Sequence, residues 1–201
     1  GDSLFLFVRA YIDPLAENSP VLIEDNIAFG VNGKTQQITL QAYGQNVEKI
    51  QGDSGLMVYQ HLKLTNQKPY LIYDTVAVAG NLTIEAGTTI YMHAGASIYV
   101  YGSMTANGTK DNPIIIRGDR TDKLFDSVPY RMASGQWDGI YLLHAKEMMP
   151  PMYQLNYVDI LSGSVGLYVY SESTGLILPK LTMKNSRIHN HSIYGLVVQN
   201  V

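Results

Sequence analysis

At 201 residues, with 46% apolar and 15% charged positions, the chain is long enough for one or two domains and a sizeable core. Its 18 Gly and 15 Tyr favour turns and strands over helices, which points to an all-β class. A formal net charge of −3 leaves no basic footprint for nucleic acid or an anionic membrane, and the absence of Cys removes disulfide frameworks and thiolate metal sites.

The chain opens on an apolar run, residues 2–12, that reads as a strand buried on both faces. Its apolar stretch, 4–12, carries Arg9 and is far too short to span a bilayer. It lacks the basic start and small-residue cleavage site of a signal peptide, so no targeting segment is expected. Asp13-Pro14 and Asn18-Ser19-Pro20 break the run. A second apolar run, 22–29, leads to Asn32-Gly33, a hairpin signal of the type I′ kind, and to a partner strand over 36–43. Three strands do not close a sandwich. Residues 1–46 therefore read as the last strands of an immunoglobulin-like β-sandwich whose first strands lie outside this chain.

Residues 47–55 are polar, contain Gly52-Asp53-Ser54-Gly55, and read as a connector. From Leu56 the period changes. Leu56-Met57-Val58, Leu62-Lys63-Leu64, Tyr70-Leu71-Ile72 and Val76-Ala77-Val78 are short strands split by turns. Gly80-Asn81-Leu82-Thr83-Ile84 then returns as Gly102-Ser103-Met104-Thr105-Ala106, an offset of 102 − 80 = 22 residues that suits stacked repeats. A looser phrase, Gly then apolar-x-apolar, recurs at Gly139-Ile140-Tyr141-Leu142, Gly166-Leu167-Tyr168-Val169 and Gly195-Leu196-Val197-Val198. Its offsets are 166 − 139 = 27 and 195 − 166 = 29 residues. Three-residue strands recurring once per coil are what a parallel β-helix requires, so residues 56–201 are expected to form one. Two excursions interrupt the winding, 118–136 and 146–152, and a later strand is expected over 155–160. The chain stops at Val201 without a polar cap, which reads as a fragment of a longer protein.

A β-helix enzyme acting on polysaccharide would need carboxylates, or a base beside a cation, at matching outward positions of successive coils. Tyr141, Tyr168 and Val197 occupy that column, so no catalytic residue is expected. Asp119, Asp122 and Asp126 could draw a calcium ion, but Arg117, Arg120 and Lys123 stand among them and a salt-bridged loop is favoured. Arg117-Gly118-Asp119 spells an adhesion tripeptide that chance explains better. His189 and His191 could share a side of an extended segment as metal ligands, yet a turn held by Asn185, Asn190 and Asn200 is favoured. No cofactor and no metal are expected. Tyr141 and Tyr168, with Tyr99 and Tyr101 and further out Tyr157 and Tyr170, are the candidate contact residues for a sugar or a protein partner. Stacked Tyr can equally serve only to bind neighbouring coils. Met148, Met149 and Met152 form either an adaptable contact patch or an internally packed loop.

The run from Arg117 to Asp126, followed by Pro129-Tyr130 and Ser134-Gly135-Gln136-Trp137-Asp138-Gly139-Ile140, resembles the right-handed parallel β-helix repeat lipoproteins of the Gram-negative outer membrane in gut-type anaerobes. Leu22-Ile23-Glu24-Asp25-Asn26-Ile27 and Leu40-Gln41-Ala42-Tyr43-Gly44 are similar to the end of the immunoglobulin-like domain that precedes the helix there. Thr83-Ile84-Glu85-Ala86-Gly87-Thr88 and Asn107-Gly108-Thr109-Lys110-Asp111-Asn112-Pro113-Ile114 are similar to its first full coils. The resemblance implies a right-handed winding and a cell-surface protein. It implies a membrane link only through a lipidated Cys upstream of residue 1. The expected role is non-catalytic binding or assembly with an outer-membrane protein partner, the alternative being a polysaccharide-binding or polysaccharide-degrading module.

Overall fold

The computed structural model describes residues 5–9, 11, 21–125, 127–146, 148–173 and 178–201. The chain divides into two compact units, Gly1–Asn46 and Val47–Val201, and 55% of the described residues are strand.

In the first unit β1 (Val21–Val31) pairs antiparallel with β2 (Lys34–Gly44). Asn32 and Gly33 join them with φ of 51° and 76°, the left-handed pair that a two-residue type I′ turn needs. This register puts Ile23, Ile27, Phe29, Ile38 and Leu40 on one face. The other is polar: Thr39 Oγ1 donates to Asn26 Oδ1 at 2.8 Å. The third strand expected over 2–12 is not formed in its described part. Phe5–Arg9 and Tyr11 lie outside any strand, and Phe7 is 95% exposed. A strand buried on both faces needs a sheet on each side. The described residues of this unit offer a single two-stranded ribbon; residues 1–4, 10 and 12 lie outside them.

The second unit is wound. Its first coil is β3 (Glu48–Ile50), β4 (Leu56–Tyr59) and β5 (Leu62–Leu64), its second β6 (Tyr70–Ile72), β7 (Thr75–Val78) and β8 (Leu82–Ile84), and its third β9 (Thr89–Met92), β10 (Ser97–Val100) and β11 (Met104–Asn107). In the fourth coil a small antiparallel hairpin, β13 (Lys123–Leu124) with β14 (Val128–Pro129), is spliced between β12 (Ile114–Gly118) and β15 (Gly139–His144), before β16 (Met152–Asn156). β17 (Val158–Leu161), β18 (Val165–Ser171) and β19 (Lys180–Lys184) make the fifth coil, and β20 (Arg187–His189) with β21 (Tyr194–Gln199) begins a sixth. Successive coils pair in parallel, giving a first sheet β3-β6-β9-β12-β17-β20, a second β4-β7-β10-β15-β18-β21 and a third β5-β8-β11-β16-β19.

Alternation along each strand fills the interior. Val76, Ile98, Ile140 and Leu167 form one column of the second sheet, Ile90, Ile116 and Ile160 one of the first, and Leu82, Met104 and Tyr153 one of the third, all at most 2% exposed. Each such side chain contributes about 1.5–3 kcal/mol of burial. Tyr153 is fully buried and its hydroxyl has no hydrogen-bond partner among the described residues. An unmade buried hydroxyl bond costs about 1–3 kcal/mol. Tyr153→Phe is therefore expected to raise stability by about 1 kcal/mol in chemical denaturation, and a loss of stability would show that the hydroxyl is satisfied.

Three expectations are corrected here. Residues 47–55 are not only a connector: β3 adds in parallel to β6, and its one apolar residue, Ile50, is 6% exposed in the core. The run 155–160 is not one strand, because Tyr157 takes φ of 48° and turns the chain from the third sheet onto the first. The second excursion ends a residue earlier than expected, since Met152 already pairs with Lys180. The long excursion is tied back by Gln136, whose Nε2 donates to Tyr130 O at 2.7 Å and Ala133 O at 2.8 Å while its backbone N–H donates to Ser162 O.

Candidate functional site

Because inward positions of the second sheet are taken by the core, the next residue of each strand faces outward. Register then fixes a column: Val58, Ala77, Tyr99, Tyr141, Tyr168, Val197. Coils stack about 4.8 Å apart, so flat side chains in register must lie face to face or tilt. Tyr99 and Tyr141 stack, with ring centroids 4.6 Å apart and planes 11° apart. Tyr168 tilts against Tyr141 by 47° at 6.0 Å, and Tyr170, two residues on, lies 6.4 Å from Tyr168 at 33°. Tyr101 follows β10 one alternation further along and is 40% exposed. Tyr157, at its corner, stands outside this column.

The hydroxyl ends are held. Tyr168 OH donates to Gln199 Oε1 at 3.1 Å, and Tyr141 OH donates to Asp138 Oδ1 at 3.2 Å. Asp138 was not foreseen as part of this surface. It lies in the bend before β15, outside any repeated phrase, and only the fold brings it to the rings. Burial first, and then the Asp138 carboxylate, push the Tyr141 phenol up to about 12; burial, Asp138 and Tyr101 also push Tyr99 upward. At neutral pH the Tyr99 and Tyr141 phenols are thus protonated and poor at removing protons, and the one hydroxyl proton of Tyr141 is already given to Asp138. A phenol whose pKa is higher folded than unfolded stabilises the fold below the ordinary value, near 10, and that contribution is lost as pH rises toward 12. Tyr141→Phe is expected to flatten the fall of stability between pH 10 and 12, read by denaturation at each pH; an unchanged slope would remove Tyr141 as its source.

Other expected groups are placed as follows. Asp119 Oδ2 lies 2.6 Å from His93 Nδ1, Asp122 pairs with Arg120, and Arg117 lies over the Tyr91 ring at 5.0 Å, so the loop is paired rather than converging on an ion. Asp126 lies outside the described residues. His189 and His191 do not converge: His189 Nε2 meets Asp159 Oδ1 at 2.9 Å, an acid the sequence reading did not place beside it, and His191 Nε2 meets Ile160 O at 3.2 Å. Burial lowers the pKa of His191. Met148, Met149 and Met152 are all exposed, Met149 at 91%, so they do not form an internally packed loop.

The fold and this surface define an all-β chain of stacked parallel sheets with a tyrosine ladder on one outer face. No protein-family model matches the chain, and no solved structure matches it. It is similar to the protein bark beetle of Drosophila melanogaster, 31% identical over 125 residues, a match that takes in 57% of this chain and 4% of the fly protein. The chain thus spans a small part of that relative.

Proposed function

We propose that the wound unit is a right-handed parallel β-helix, preceded by the last strands of an immunoglobulin-like sandwich, and that it is a non-catalytic, surface-exposed module for binding or assembly. The observation that carries this reading is the Tyr99–Tyr141 stack at 4.6 Å. Two rings that spend their faces on each other present edges and hydroxyls to the outside. Such a surface suits a protein partner, for which Tyr supplies rigid area with a polar tip. Catalysis is not favoured: hydrolysis of a glycosidic bond uses two carboxylates about 5 to 10 Å apart, and the carboxylate bonded within the ladder, Asp138, already accepts the Tyr141 proton donor.

Recovery of bound protein with the parent chain, and at least tenfold less with Tyr141→Ala/Tyr168→Ala, is the expected outcome of a pull-down from membranes. Recovery of the chain alone counts against the reading. A second reading, polysaccharide binding, draws on the tilt of Tyr168 and Tyr170, which do not stack face to face. A glycan array separates the two: signal that disappears with Tyr168→Ala supports the sugar reading, and a blank array leaves the protein partner. Placement at a Gram-negative outer membrane, through a lipid anchor outside this chain, rests on the sequence resemblance alone, and the similarity to a fly protein lends it nothing. Among the described residues no helix is long and apolar enough to cross a membrane.

A further inference from the structure

The tyrosine ladder ends at the third coil, and its last ring has a face left over. Tyr99 gives one face to Tyr141, 4.6 Å away and 11° off parallel, so the other looks along the axis toward the second coil. There the outward side chains are small. Val76 and Val78 of β7 are at most 1% exposed in the core, which leaves Thr75, Ala77 and Ala79 on the outer side. Pairing sets Ala77 between Tyr99 of β10 and Val58 of β4. One outward step further, Ala79 lies beside Tyr101, whose backbone N–H donates to Val78 O at 2.9 Å. β7 is thus the floor of a slot across the second sheet, with tyrosines along one wall and Val58 on the other.

The width of the slot follows from the stacking of the coils. At about 4.8 Å per coil, the backbones carrying Val58 and Tyr99 stand about 9.6 Å apart with a single methyl group between them. A flat ring in contact on both faces needs about 7–8 Å. The walls are in water: Val58 is 66% exposed and Tyr101 40%.

The chemistry of the lining selects what enters. Floor and walls carry no charge, so neither an acidic nor a basic group meets a counter-charge there. At one end Thr75 Oγ1 and Ser97 Oγ lie 3.1 Å apart and bond to each other. A sugar ring would press its hydroxyls against Val58 and Ala77, where no donor or acceptor answers them. An aromatic ring meets apolar atoms on both faces and below.

We propose that this slot receives one aromatic side chain of a protein partner, inserted edge-first between Tyr99 and Val58 so that it continues the ladder by one ring. The proposal rests on the reading of the second sheet as a surface for a protein partner, and it names the anchor of that contact.

The test has two arms. In the first, indole is titrated into the isotope-labelled chain and methyl resonances are followed. Saturable ring-current shifts are expected at Ala77 and Val58. Ala77→Leu fills the floor while leaving every tyrosine in place, and should weaken binding at least tenfold, read at Val58. Ala77→Gly keeps the slot open and should bind indole as the parent does. Shifts centred elsewhere in the parent, binding unchanged by Ala77→Leu, or a response to methyl glucoside in place of indole overturns the proposal. In the second arm, Ala77→Leu is expected to recover at least tenfold less of the protein that the parent recovers from membranes. Equal recovery overturns the slot and leaves the partner reading standing, whereas a parent that recovers nothing overturns the partner reading itself and the proposal with it.

Discussion

Trp137→Ala is expected to cost about 3–5 kcal/mol. Trp137 is 1% exposed, its Nε1 donates to Leu161 O at 3.0 Å, and its ring meets His191 edge-on. It therefore joins the bend ahead of β15 to the fifth and sixth coils. Coils of this kind touch only their neighbours, so the loss should stay local. Hydrogen exchange is expected to accelerate in β15, β17 and β18 while β6, β7 and β8 keep their protection. A cost under about 1 kcal/mol, or equal loss of protection in every coil, would falsify the assignment of Trp137 as a local clasp.

The second large effect is expected at Gly102. A Cβ there would stand 2.4 Å from Gly80 O and 2.6 Å from Gly80 C. Both atoms are backbone, so no side chain can swing away. Gly102→Ala must push the second and third coils apart where the chain bends into the third sheet. Overpacking of this sort costs about 1–3 kcal/mol. The matching control is Ala77→Gly on the outer face, whose expected cost is backbone entropy alone, about 0.5–1 kcal/mol. Urea denaturation of the two variants checks the contrast; equal costs would mean that the bend has room.

That contact explains why the glycine phrase was readable before any coordinates. Where one coil must lie against the next with no side chain between, Gly recurs in neighbouring coils, as Gly80 and Gly102 do, and a Cβ on Gly166 would likewise stand 2.4 Å from Gly195 O. The column Tyr141 to Tyr168 could be read for the same reason, since both residues sit at one place in that phrase. Tyr99 could be named but not placed. The excursion spliced between β12 and β15 makes its distance to Tyr141 much longer than one ordinary coil, and only the parallel pairing of β10 with β15 restores the register. Asp138 was invisible because a bend residue carries no period. β3 was missed because two of its three residues are charged, and the signal of a strand with one inward residue is a single Ile50. In the opposite direction, the Phe-rich run at 5–7 looked like a core strand because apolar content alone does not say whether a second sheet exists to receive it.

The neighbour-only pairing of the coils also decides how the wound unit answers to force. Every ladder bond in the three sheets joins one coil to the next, so tension along the axis falls on few bonds at a time, and the molecule should pay out chain in discrete lengths of one coil. A pull across the axis instead loads covalent backbone running around each rung. A wound unit built this way is expected to yield lengthwise before it tears sideways.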